Sequence, residues 1–149
     1  MRSIANYTRR SEVARVYLDE DIGAFEQPLV AAGHDVISVD RDESRRGRSD
    51  AWHFREAVKE RRLLVVWNRG DYEYLHRLWT TLHTLGVVDT PHAGVLTAAP
   101  SGAVNPHEWL APLIAKLDAA EGWAGRLLRW LPSVADWRED KTRPEEGQE

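Results

Sequence analysis

The chain has 149 residues, 42% hydrophobic and 30% charged, with 10 Gly and 7 Pro, the profile of one ordinary globular domain. It contains no cysteine, which excludes disulfide scaffolds, thiolate zinc sites, iron–sulfur clusters and cysteine nucleophiles together and suits a reducing cytoplasm. The net charge of −4 gives no whole-molecule basic footprint, so a nucleic acid would have to be held by a local patch; Arg supplies nearly all of the 20 basic residues, and Arg suits bidentate phosphate contacts.

Residues 1–12 form a polar lead without the apolar run of a signal peptide, and no stretch approaches the ~20 apolar residues of a membrane span. The expectation is a cytoplasmic protein that neither leaves the cell nor enters a membrane. The first strand is read at Val13 to Leu18, ending abruptly in Asp19-Glu20-Asp21. Ile22, Phe25, Leu29 and Val30 then recur at helical spacing up to Gly33, and His34 to Val39 alternates as a second strand.

Asp40 to Ser49 carries Arg41, Arg45, Arg46 and Arg48 and no large apolar side chain, which marks an exposed loop. Ser49 or Asp50 can cap the next helix, built on Trp52, Phe54, Ala57 and Val58. Leu63 to Trp67 is an unbroken apolar run, the pattern of a strand buried on both faces of a parallel sheet. Asn68-Arg69-Gly70-Asp71 turns out of it into an amphipathic helix from Tyr72 to about Leu85, and Ala93 to Thr97 reads as a fourth strand. Helical stripes are expected at Trp109 to Leu117 and again at Trp123 to Leu131, followed by a frayed charged tail over 138–149. Residues 13–137 are therefore read as one α/β domain: a doubly wound parallel sheet of about four strands in the order 2-1-3-4, flanked by helices, with further helices at the C-terminal end.

In such sheets a ligand sits outside the carboxyl ends of the strands, where the winding reverses. Asp19, Glu20 and Asp21 follow the first strand, Asp50 opens the helix after the second, and Asn68 and Asp71 follow the third. Carboxylates gathered there either raise a pKa or recruit a cation, and oxygen-only ligands select Mg2+ or Mn2+, an ion suited to phosphodiester hydrolysis. The competing reading is that these acids cap helices.

Several blocks occur together in order: Val16-Tyr17-Leu18-Asp19-Glu20-Asp21, Ala32-Gly33-His34-Asp35-Val36, Ser49-Asp50, Leu64-Val65-Val66-Trp67-Asn68-Arg69-Gly70-Asp71-Tyr72 with Leu75-His76, and His92-Ala93-Gly94-Val95. From Arg15 to about Thr97 the chain resembles the small bacterial PIN-like domain family of unknown function, relatives of the toxin ribonucleases of toxin–antitoxin pairs. The resemblance implies a PIN-like fold, a divalent-metal site and RNA cleavage, with Asp19, Asp50 and Asp71 matching its acidic positions. The chain departs from the family at Trp67-Asn68, where many members carry Thr-x-Asp, and it lacks an obvious fourth carboxylate unless Glu20 or Asp21 supplies one.

The remaining candidates follow from position. Asn68 would orient water or a phosphate; Arg41, Arg45, Arg46, Arg48 and Arg69 would grip RNA, against the alternative of a solvated loop; His76 and His92 would form an outer ring around the metal ligands, against that of hydrogen-bonded core. Trp123, Trp130 and Trp137 either pack on the sheet or form a dimer or antitoxin surface. A receiver-like phosphoacceptor is disfavoured, because the third strand ends in Asn68 and Lys116 lies mid-helix; dinucleotide binding and serine-hydrolase chemistry lack their motifs. A PIN-like module that binds RNA or a partner without cutting is the alternative function.

Overall fold

The structure is a computed structural model, and it describes residues 13–68, 70–98 and 105–141. The polar lead, Arg69 and the last eight residues lie outside the described residues. Six strands, β1 (Arg15–Leu18), β2 (Asp35–Ser38), β3 (Leu63–Asn68), β4 (Val95–Ala98), β5 (Leu127–Leu131) and β6 (Asp136–Glu139), form one sheet in the order β2-β1-β3-β4-β5-β6. All neighbours are parallel except β5 and β6. Four helices accompany it: α1 (Glu26–Ala31), α2 (Asp50–Glu60), α3 (Gly70–Thr84) and α4 (His107–Asp118). None of the helices among the described residues is long and apolar enough to cross a membrane.

Alternation along the strands divides the core in two. Val16, Leu18, Leu63, Val65, Leu96 and Leu128 point to one face, where Phe25, Leu29 of α1 and Trp109, Leu113 and Leu117 of α4 cover them. Tyr17, Leu64, Val66, Val95 and Leu127 point to the other, under Phe54 and Ala57 of α2 and Tyr72 of α3. Helices on both faces explain why the middle strands carry no polar alternation. Each fully buried Leu contributes roughly 1.5–3 kcal/mol.

Strand count and order differ from the four-strand expectation, because the stripe from Trp123 to Leu131 does not form a helix. Its Leu127-Leu128-Arg129-Trp130-Leu131 run is β5, paired with β4 from Val95↔Leu127 to Ala98↔Trp130. The spacing of Trp123, Leu127, Leu128, Trp130 and Leu131 suits a helix and a two-faced strand equally. The open backbone edge of the buried β4 decides between them, since its amide and carbonyl groups need partners. A four-residue turn, Pro132 to Ala135, then returns the chain as β6, so Arg138 and Glu139, expected in a frayed tail, are in the sheet. Trp130 and Trp137 pair across the hairpin with rings 5.4 Å apart, and with Trp123 they pack against the core, which selects packing over an exposed surface.

The first predicted helix is also modified: a 3-10 turn over Glu20–Phe25 precedes α1. Gly94, just before β4, has φ +116°, and a Cβ there would stand 2.6 Å from Trp123 Cβ and 2.7 Å from Leu63 Cδ1, so only glycine fits.

Candidate functional site

The parallel strands bring three acidic positions to one edge of the sheet. Asp19 directly follows β1, and its backbone N–H still donates to Val65 O at 3.0 Å, which fixes it in the seam between β1 and β3. Asp50 begins α2, and Asp71 is the second residue of α3, the helix leaving β3. Asn68 ends β3 at the same edge, with its side chain outside the described residues.

Side-chain capping bonds are absent at Asp19 and Asp50, while Asp50 and Asp71 remain first-turn acids favoured by their helix dipoles. At α2 the cap is Ser49, whose Oγ accepts the Trp52 N–H at 3.1 Å, leaving the Asp50 carboxyl free of that duty. Asp19 stands at the start of the 3-10 turn but makes no side-chain capping bond.

These carboxyls act on one another. Burial pushes Asp19 up to about 6, the Glu20 N–H counteracts that in part, and the charges of Asp21, Asp50 and Glu20 add to it. Burial also raises Asp50, with the Asp71 carboxylate contributing. Between them lies Tyr72, 1% exposed, its hydroxyl raised above its ordinary value by burial and by the charges of Asp19 and Asp50. Asp50 is the hydrogen-bond partner of that hydroxyl, though the geometry of the contact is poor. A buried hydroxyl set beside two carboxyls of raised pKa is the kind of perturbed cluster that marks a candidate site.

Among the described residues no three Asp, Glu or His side chains stand together closely enough, as placed, to hold a metal ion. The donor chemistry fits one nonetheless: Asp19, Asp50 and Asp71 are all-oxygen ligands of a hard divalent cation, which would relieve their repulsion. Glu20 and Asp21 are exposed at the rim, and Glu20 Oε1 accepts a long 3.5 Å bond from Gly47 N–H, tying the rim to the Arg-rich loop.

The predicted basic residues divide. Arg45 is not available to a ligand: its side chain is 14% exposed, ion-paired to Glu60 at 2.7 Å and Asp42 at 2.9 Å, with its guanidinium 5.2 Å from the Tyr17 ring centroid. Tyr17 in turn shares a 2.8 Å hydrogen bond with His53. Arg41 pairs with Glu26 at 2.8 Å, Arg48 lies over Trp52 and donates to Ser44 O, and Arg46 is exposed.

The two histidines are not brought to the carboxyls. His92 precedes β4 and so sits at the amino edge of the sheet, and both rings are buried. Gly94 N–H donates to His92 Nδ1 at 3.0 Å, so His92 carries its proton on Nε2 and donates to His76 Nδ1 at 2.8 Å. His76 then presents Nε2–H to Asp140 at 3.5 Å. Burial lowers both, His92 to about 3, and the pair belongs to the hydrogen-bonded core.

Sequence reading missed the Tyr72 hydroxyl as a site group; its place directly after Asp71 was the available signal. The chain matches no protein-family model, no curated protein and no solved structure.

Proposed function

We propose that the chain is a divalent-metal-dependent endoribonuclease of PIN-like type, working in the cytoplasm as the toxin of a toxin–antitoxin pair, with Asp19, Asp50 and Asp71 as ligands of Mg2+ or Mn2+. The observation that carries this reading is that Asp19 and Asp50 make no side-chain capping bond, are partly buried and lie beside the buried Tyr72 hydroxyl, with the charge of Asp50 raising Asp19. When bound, the ion supplies positive charge against that developing on the scissile phosphate. The chain's own part is orientation: the β1–β3 ladder fixes Asp19, Ser49 fixes the start of α2, and Tyr72 offers a hydroxyl donor from a dry position. Arg41, Arg46 and Arg48 are exposed cations of the loop before α2, available to an RNA backbone. The proposed partners are RNA, a cognate antitoxin and a second copy of the chain.

A non-cleaving PIN-like module that binds RNA or a partner is the second reading. It is favoured by Asn68 in place of a carboxylate at the end of β3 and by the lack, among the described residues, of three acidic or histidine side chains close enough to share an ion. The experiment is cleavage of a mixed RNA pool with Mg2+ or Mn2+ by the wild-type chain and by Asp19→Asn. Cleavage lost in the variant supports the nuclease; equal cleavage by both refutes the site; RNA bound but uncut by both supports the module.

A further inference from the structure

A cavity of about 300 Å3 lies between α3 and the β5–β6 hairpin, at the far side of the sheet from β1. It is lined by four cations, Arg77, Arg129, Arg138 and Lys141, and by Glu139 and Asp140. The two carboxylates are already engaged. Glu139 accepts from Arg126 at 2.9 and 3.0 Å, and Arg126 does not line the cavity. Asp140 accepts from Arg77 at 3.1 Å and faces His76.

Arg129 stands directly opposite Arg138 across the antiparallel pair, so two guanidinium groups share one face of the hairpin. Like charges in that register destabilise a sheet by several tenths of a kcal/mol or more. Arg129 is met by Glu73 of α3, whereas Arg138 is exposed and no described residue pairs with it. Among the described residues Lys141, 83% exposed, reaches Glu139 alone, at 4.0 Å. Among the described residues of a chain of net charge −4, this cleft therefore keeps one unpaired cation, Arg138, and one loosely paired, Lys141.

We infer that this cleft is a phosphate-binding site, with Arg138 and Lys141 as its anchoring cations and Arg77 and Arg129 lining the wall behind them. A phosphate brings enough charge for both the unpaired Arg138 and the loosely held Lys141, and its tetrahedral oxygens accept an Arg fork, whereas a carboxylate would only duplicate what Glu139 and Asp140 already provide. The phosphate can belong to an RNA backbone or to a free nucleotide. The site does not depend on the carboxylates of the other edge, so each can fail without the other.

The test measures binding of a short labelled single-stranded RNA, of AMP and of inorganic phosphate by the full chain, comparing Arg138→Glu/Lys141→Glu with Arg55→Glu/Lys59→Glu. The second pair makes the same charge change on the exposed face of α2. For an RNA ligand the cleft variant is expected to bind roughly tenfold or more weakly at low salt, with the slope of log K against log salt reduced by about 1.4, two single-strand contacts. For a free-nucleotide ligand, AMP or phosphate binds the wild type and competes with RNA, and the cleft variant loses that binding. Arg138→Glu places a carboxylate opposite Arg129, so the hairpin retains its pairing, and an unchanged melting curve verifies the fold. Equal weakening by both double variants, or no weakening for any of the three ligands, overturns the site.

Discussion

Two polar clusters in this molecule differ in burial and in how their groups are partnered: His76 and His92 are almost fully buried, whereas Asp19 and Asp50 are half-buried and Asp71 is exposed. At the amino edge, Gly94 N–H, His92, His76, Asp140 and Arg77 form a chain linked by hydrogen bonds and by a 3.5 Å His76–Asp140 contact. At the carboxyl edge the charge of Asp50 raises Asp19, that of Asp71 raises Asp50, and the Tyr72 hydroxyl is poorly matched to Asp50. Both clusters hold strongly shifted groups, His92 at about 3 and Asp19 at about 6. A perturbed pKa alone therefore does not separate a site from a scaffold; the inventory of partners does.

The largest effect expected from breaking this contrast is on activity. Asp19→Asn should lower metal-dependent RNA cleavage by at least about a hundredfold, the upper end of what losing even an outer-shell partner costs. The same variant should raise the melting temperature in chelator, because it removes repulsion, whereas a scaffold carboxylate would lower it. Asn68→Asp is its converse and should tighten Mn2+ binding, by roughly tenfold, read by calorimetry.

Removing a link from the hydrogen-bonded cluster should act on stability alone. His92→Ala strips a buried ring and orphans the Gly94 N–H and the His76 Nδ1, at a cost of about 2–4 kcal/mol in denaturant unfolding.

The pH dependence separates the clusters by sign. His92 is neutral when folded, so its contribution is complete above 6.5 and is lost as pH falls toward about 3. Asp19 is raised from 3.8 to about 6, so its contribution is complete below 3.8 and is lost as pH rises toward about 6. In chelator the two oppose each other across one window, each on the order of 1–3 kcal/mol. Unfolding measured from pH 4 to 7 should rise more steeply with pH in Asp19→Asn, and saturating Mg2+ should do the same to the wild type.

The smallest effect concerns the basic loop. Arg45→Gln should cost about 1–2 kcal/mol through its partly buried pairs with Glu60 and Asp42, while Arg46→Gln should fall within ±0.5 kcal/mol.

The first half of the chain was legible because local chemistry and tertiary demand agree there. The apolar run Leu63 to Trp67 admits little but a doubly covered strand, Ser49 caps the helix that follows it, and Asp19, Asp50 and Asp71 sit next to element ends that a parallel sheet aligns by construction. The loop arginines read alike in sequence; only the approach of Glu60 and the Tyr17 ring separates Arg45 from Arg46.

What the sequence by itself determined was the alternation of strand and helix, the side of the sheet on which the acids fall, and the absence of thiol chemistry. What only the tertiary structure decided was the fate of groups whose partners lie far along the chain. The open edge of β4 made Leu127 to Leu131 a strand when its spacing suited a helix as well, and that choice brought Arg129 opposite Arg138 and closed the basic cleft against α3. Local periodicity reports which face of an element is apolar, but an unpaired sheet edge is a property of the assembled fold, and its backbone donors and acceptors outweigh the modest intrinsic preference of any short segment.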